Sequence, residues 1–211
     1  MYNKFILSIA LTFTVLFAAA FTTVENKTAD ATSWQIDKAH SAINFTINHF
    51  FTPVDGTFNE YSAVVNFDPA NLEESSLEVT IPVSGINTRN ERRDNHLMSE
   101  DFFNAEQWPN IRFVSNEIVE DGNGGYIARG QMTIRDVTRD FELPFELLGV
   151  MDHPMRENTR VAGISARAEL MRNDYGVGTG DWAATAVVGD KVNIQLNLEL
   201  TTAIYSLLKP F

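Results

Sequence analysis

From Trp34 onward, apolar and polar residues alternate with a period of two. Ile43, Phe45 and Ile47 alternate with Asn44, Thr46 and Asn48, and His49 continues the apolar face. Tyr61, Ala63, Val65 and Phe67 repeat the pattern up to an Asp68-Pro69 turn signal. Leu77, Val79, Ile81 and Val83 repeat it against Ser76, Glu78 and Thr80. Successive side chains on a strand point to opposite faces, so each run predicts a strand with one buried face and one wet face. Further strands are predicted from Ile111-Arg112-Phe113, over Tyr126–Ile134, and along Phe141, Leu143, Phe145 and Leu147. Two more follow Ile164, Ala166, Ala168 and Leu170, and then Val192, Ile194, Leu196, Leu198 and Leu200. Asp121-Gly122-Asn123-Gly124-Gly125 is a strong hairpin signal. Pro144 has no N–H to give a ladder and predicts a bulge or an unpaired position. About eight strands at fairly regular spacing indicate an all-β antiparallel barrel or sandwich.

One stretch breaks the alternation. Thr88-Arg89-Asn90-Glu91 reads as a capping box, with Thr88 as N-cap of a short helix running toward Leu97. Ser99, followed by Glu100 and Asp101, predicts the start of a second turn, which Trp108-Pro109 ends. Leu97, Phe102 and Phe103 would turn inward, making this excursion a plug or lid. Gly176-Val177-Gly178-Thr179-Gly180 lacks the Lys-Ser/Thr and the helix of a phosphate cradle and reads as a glycine-rich connection, with Trp182 as a flap residue.

Ahead of the strands, Lys4, the apolar run Phe5–Phe21 and Ala18-Ala19-Ala20 have the layout of a secretory signal peptide. Residues 1–20 are therefore expected to be a signal peptide, 21–33 a flexible linker and 34–205 one domain, periplasmic or secreted, with no stable membrane span after cleavage. With no Cys, the domain has no disulfide and rests on its core. The formal net charge is −12, and removing Lys4 with the leader makes it −13. Such a surface repels phosphate backbones, which argues against a nucleic-acid partner.

The chemical clusters are modest. Asp37, His40 and Ser41 hold the residue types of a hydrolase triad, but if His40 and Ser41 open a strand, their side chains face opposite ways. Asp37 is then expected to bond local backbone. The four histidines show no helical i,i+4 pair, so no metal is expected. Arg92, Arg93, Asp94 and His96 fit a solvated helix face. Fifteen Phe supply apolar surface for either a solid core or a cavity.

Several short motifs stand in one order along the chain, and each is similar to a segment of one known family. Trp34-Gln35-Ile36-Asp37-Lys38-Ala39-His40-Ser41 is similar to its opening W-x-x-D-x-x-H-S. Arg93-Asp94-Asn95-His96-Leu97 with Asp101-Phe102-Phe103 resembles R-D-x-H-L…D-F-F, and Pro109–Phe113 resembles P-x-I-x-F. Gly130–Arg135 with Val137-Thr138 is similar to G-x-L-T-I-R-G-V-T, Arg172–Gly176 to R-x-D-F-G, and Val188–Val192 to the approach to the last strand. Asp136 stands where that family has Gly, which calls the turn there into question, and Met132 replaces Leu. In this order the motifs resemble the YceI-like family of exported polyisoprenoid- and lipid-binding proteins, and the resemblance implies a lipocalin-like antiparallel β-barrel with one short helical excursion. It also implies a long-chain amphiphilic lipid as partner, a polyisoprenoid or isoprenoid quinone held as ligand; it does not imply catalysis, and neither an enzyme nor a cofactor is expected. Alternation alone nominates Phe45, Ile47, Val79, Ile81, Phe113, Phe141, Leu143 and Phe145 as pocket lining. The motif positions Asp37, His40, Ser41, Arg93, Asp94 and His96 are expected to be structural. A barrel-scaffold enzyme using His40, Asp94 or His96, a stress-response interaction protein, and a homodimer remain open as alternatives.

Overall fold

The computed structural model describes residues 31–204; the expected signal peptide and most of the expected linker lie outside them. Among the described residues, eleven strands build one antiparallel sheet. β1 (Ser33–Ile36) and β2 (Ala42–His49) are halves of one long stave, as are β3 (Thr52–Phe58) and β4 (Ser62–Asn66), and β5 (Ser76–Pro82) and β6 (Ile86–Asn87). β7 (Asn110–Glu120), β8 (Tyr126–Ile134), β9 (Val137–Asp152), β10 (Thr159–Met171) and β11 (Val188–Ala203) run unbroken. Each stave pairs with its sequence neighbours, and β11 closes the ring by pairing with β2 through Val188–Asn197 and with β1 at Leu200 and Thr201. The result is a closed eight-stave, up-and-down barrel with one helix, α1 (Glu91–Met98), between the third and fourth staves. Every stave is joined to two neighbours, although β9 and β10 part beyond Phe145 and Ala166, and this closure suits a chain with no disulfides.

The break in the first stave explains the opening motif. Asp37 caps a 3-10 turn, Lys38–His40, and its Oδ1 accepts from Ala39 N at 3.0 Å. His40 therefore sits in the turn rather than on a strand, which corrects the facing argument made from sequence. Opposite this gap, Glu199 still has ladder groups to satisfy. Asp37 N donates to Glu199 O at 2.9 Å, and Ser41 Oγ accepts from Glu199 N at 2.9 Å. The Ser41 hydroxyl thus serves Glu199 where the strand pairing lapses.

Asp121 Oδ1 accepts from Asn123 N and Gly125 N and closes the β7–β8 turn, with Gly122 and Gly124 at positive φ. At the β8–β9 turn, Ile134 pairs with Val137, and the positive φ, 56°, belongs to Arg135. Asp136 is not at positive φ, so this turn has no need of a glycine at that position. Pro144 stays in register with Ile127 on β8, but β9 pairs with β10 only from Phe145 onward. The proline marks the place where the β10 ladder stops.

Two regions divide the interior. At the end bearing the β7–β8 and β9–β10 turns, Phe67, Tyr126 and Phe145 pack ring against ring, with centroids 5.0–5.4 Å apart. Trp34 is buried beside them and donates Nε1 to Phe67 O at 2.9 Å. This aromatic plug seals one end of the barrel. The other half is hollow.

Candidate functional site

The hollow half is a cavity of about 710 Å³, within the range of ligand-binding pockets. Its walls are the inward residues of the alternating strands, among them Phe45 and Ile47 on β2, Val79 and Ile81 on β5, Phe113 on β7, Phe141 and Leu143 on β9, and Val192, Ile194 and Leu196 on β11. Seven of the eight residues nominated by alternation therefore border this cavity. Phe145 does not. It belongs to the aromatic plug and borders only a separate void of about 50 Å³. Alternation reports which face a residue takes, not how far along the barrel axis it sits, and Phe145 lies past the floor of the cavity.

The deep walls are apolar, and polar groups gather where the cavity reaches the surface. Asn48 and His49 at the end of β2, and Asn90, Arg92 and Arg93 at the start of α1, are exposed and border the opening. Helix α1 is capped by Asn90, whose Oδ1 accepts from Arg93 N at 3.0 Å, rather than by Thr88. Thr88 has another duty. It is buried, and its N–H and hydroxyl both donate to Asp94 Oδ1, while Arg93 donates Nε to Thr88 Oγ1 and Nη2 to Thr88 O, each at 2.7 Å. Ser99 closes α1 instead of opening a second helix, donating Oγ to His96 O at 2.7 Å.

Leu97, Phe102 and Phe103 face the cavity, as the lid reading expects. His96 lies edge-on to both Phe102 and Trp182, with centroids 5.0 Å apart, and its Nε2 is 2.9 Å from Asp101 Oδ2. Trp182 also borders the cavity and comes from the glycine-rich connection, where Gly176, Gly178 and Gly180 all have positive φ. Two arginines tie these loops to the barrel. Arg135 donates Nη1 to Phe102 O and to Gly176 O and lies 4.7 Å above the Trp108 ring. Arg172 is buried and donates to Gly189 O, Val188 O, Val177 O and Asn173 Oδ1 at 2.8–3.0 Å. Burial lowers its pKa, and the charge of Asp190 offsets this in part.

The residues of the enzyme alternative do not meet. His40 lies at the opposite end of β2 from the opening, between Asp37 (3.3 Å) and Glu199 (3.6 Å). Asp94 is spent on Thr88, and His96 packs within the lid against Phe102 and Trp182. Asp37, His40 and Glu199 do bring one nitrogen and two oxygen donors within 4.8 Å of one another, a cluster that a search for paired histidines passes over. The imidazole already bridges the carboxylates, and Arg156 approaches Asp37 to 4.0 Å. The hydrogen bond from His40, then that from Ala39 N, holds the Asp37 carboxyl below its ordinary pKa.

The sequence nominations omit Val192, Ile194 and Leu196 of β11, a strand whose alternation is plain, and miss β3 altogether, with Val54 and Phe58. The middle inward residue of that strand is Gly56, paired with Phe45, and the Phe45 ring occupies the space its side chain would take. The available signal was Val54-x-Gly56-x-Phe58, an alternation with an empty middle.

The match to the family model for the YceI-like domain runs from residue 34 to 200, which takes in every stave of this barrel. The chain belongs to the YceI-like domain family. Its relatives include a UPF0312 protein of Vibrio cholerae serotype O1, 30% identical over 152 residues that cover 71% of this chain and 79% of the relative. A UPF0312 protein of Staphylococcus aureus is 31% identical over 173 residues, 81% of this chain and 98% of that one. Among solved structures, Burkholderia cenocepacia BcnA superposes with a TM-score of 0.70 at 27% identity, covering 78% of this chain and 99% of its own. The Campylobacter jejuni YceI protein gives 0.64 at 32%, covering 80% and 96%. A Saccharophagus degradans domain described as polyisoprenoid-binding gives 0.54 at 11%, covering 80% and 98%, a likeness of YceI-like fold alone.

Proposed function

We propose that this chain is a carrier that holds the apolar tail of a long-chain isoprenoid lipid inside its barrel, in the periplasm or outside the cell. The observation that carries the reading is the cavity: about 710 Å³, walled mainly by apolar residues in its depth, closed at one end by an aromatic plug and with exposed polar residues gathered at its opening. An amphiphile fits that gradient tail first. About ten methylenes buried at ~0.8 kcal/mol each give ~8 kcal/mol, near micromolar affinity before any headgroup contact. Ordering of the tail offsets part of this, so a longer chain gains less than its length suggests. Phe45, Ile47, Val79, Ile81, Phe113, Phe141 and Leu143 are the proposed tail contacts. The S. degradans domain described as polyisoprenoid-binding shares this fold. The leader at Phe5–Phe21 supports export, and no helix among the described residues is long and apolar enough to cross a membrane.

The test is native mass spectrometry of protein recovered after export from its own cell, followed by solvent extraction of what it holds. A prenyl lipid in near one-to-one ratio is the expected result. Saturation at about a hundred times Kd adds about 2.7 kcal/mol of stability, so Tm rises by about 5–10 °C. Protein that emerges empty and neither takes up prenyl chains nor gains stability from them overturns the proposal.

A further inference from the structure

The turn between β2 and β3 breaks two local rules at once. His49 pairs with Thr52, so Phe50 and Phe51 alone make the turn. Two-residue hairpin turns favour Gly, Asn and Asp because they need positive φ, and Phe50 has φ 54°. A bulky residue there is an outlier. The second break is exposure, 56% for Phe50 and 99% for Phe51. Nothing among the described residues explains Phe51: its ring packs on none of them, and a polar residue would serve the turn better. The Phe50 ring stands edge-on to His49, 4.7 Å between centroids, but Phe51 has no such compensation, and an uncompensated local violation is characteristic of a functional position.

The surroundings continue the theme. Phe50 N donates to Val187 O at 2.7 Å, joining the tip to the exposed run Ala183–Val187. Between Lys38 and Asp55, and again from Trp182 to Gly189, there is no Asp, Glu, Lys or Arg. In a chain of net charge −12, these two charge-free segments meet at one place. That place is the rim of the cavity, since Asn48, His49, Val54 and Val188 all line the cavity and Asn48 and His49 are exposed.

We infer that this aromatic tip docks on the interface of a neutral phospholipid bilayer. Interfacial anchoring uses aromatic and aliphatic side chains sunk to the headgroup boundary, and an uncharged tip can approach although the body of the protein is acidic. A second copy fits less well. A two-residue tip is convex and far smaller than the ~800 Å² per partner of a stable interface, and two acidic bodies repel. Docked this way, the opening faces the bilayer and a lipid tail passes between the two without crossing water. The inference rests on the carrier reading for that purpose, but the docking stands on the tip itself.

Since the chain has no cysteine, Phe51→Cys carries a single environment-sensitive nitrobenzoxadiazole label, and Asn123→Cys places the same label on the turn at the plugged end. This local readout does not register contacts made by the apolar run at Phe5–Phe21. With phosphatidylcholine vesicles, the label at 51 shifts to the blue and brightens while that at 123 stays unchanged. No change at 51, or equal change at both sites, overturns docking by the tip. So does a shift that appears without vesicles and grows with protein concentration, which would identify a second copy as the occupant. In unlabelled protein, Phe50→Ser with Phe51→Ser lowers vesicle partitioning at least about tenfold and leaves prenyl uptake from vesicle-free solution intact. Loss of that uptake would make the tip part of the pocket and overturn the inference. If wild-type protein takes up no prenyl lipid while position 51 still responds to vesicles, the carrier reading falls and the docking stands.

Discussion

Gly56→Ala tests whether the cavity beside Phe45 is real space. A Cβ at position 56 would lie 2.2 Å from Phe45 Cζ and under 3.0 Å from both Cε atoms, with no backbone among its nearest neighbours. The Phe45 ring must therefore move at least 1.2 Å to reach the 3.4 Å of ordinary contact. Phe45 borders the cavity, so it can swing into it. The swing disturbs the Phe45–Phe58 contact, whose centroids are 5.5 Å apart; such pairs contribute about 0.5–1.5 kcal/mol. An off-rotamer ring adds about 0.5–1.5 kcal/mol, and replacing glycine returns about 0.4–1 kcal/mol through the unfolded chain. The net is about 1 kcal/mol of destabilisation, a fall in Tm of about 2–4 °C. The displaced ring takes space from the ligand. Excluding two methylenes at ~0.8 kcal/mol each weakens prenyl binding more than tenfold. Thermal melts with a fluorescent prenyl-lipid titration read both effects. A fall in Tm beyond about 8 °C with affinity unchanged would refute the reasoning, because it would mean that Phe45 has nowhere to go and the cavity wall is solid there.

Replacing Arg172 with Met strands the carbonyls of Gly189, Val188 and Val177; at about 1–3 kcal/mol for each unsatisfied buried group, relief of one buried charge offsets only part, and urea midpoints should show at least about 3 kcal/mol lost. A loss under about 1 kcal/mol contradicts the tie. Burial raises the Tyr61 and Tyr175 pKa values. The folded state therefore keeps these protons to higher pH than the unfolded chain does: the stabilisation is whole below about pH 10 and is lost as pH rises through the folded values. Urea midpoints that fall already from pH 8 would point to other groups. Alanine at Asp94 leaves the Thr88 N–H and hydroxyl without their acceptor and costs about 2 kcal/mol, whereas alanine at exposed His40 barely moves Tm. Loss of a measurable turnover at His40, Asp94 or His96 with Tm unchanged would instead support the enzyme alternative.

The barrel was legible because its strands alternate cleanly, and Phe141-Glu142-Leu143-Pro144-Phe145 shows both the strength and the limit of that signal. It placed all three apolar residues inside, but depth along the axis depends on stagger between staves, which no single strand encodes, so Phe145 fell in the plug. β3 escaped notice for a different reason. Its inward side is filled partly by Phe45 from the neighbouring strand, so the apolar residue that Gly56 lacks is supplied from a distance. The helix was found, but its cap was misplaced by two residues because Thr88 and Asn90 both have capping side chains. The choice went to Asn90 because Thr88 is drawn into bonds with Arg93 and Asp94. The Asp37–Glu199 contact joins residues 162 positions apart and was beyond any local reading.

The placement of the recognisable motifs has a physical reason. Cavity walls require only apolar residues of suitable volume, and many such residues exchange with little penalty. The opening is more demanding. Loops over a hollow barrel lose apolar contacts on one side, and without directional bonds they would collapse into the space below. Here Arg135 reaches from the β8–β9 turn to the carbonyls of Phe102 and Gly176, Arg172 holds the start of β11, and Thr179 N donates to Asp101 O. Each bond joins one motif segment or its flank to another, so the segments specify one another's positions. Polar residues around this cavity thus act mainly through other protein groups, so under the proposed carrier role a ligand that enters past them needs only to be long, flexible and apolar.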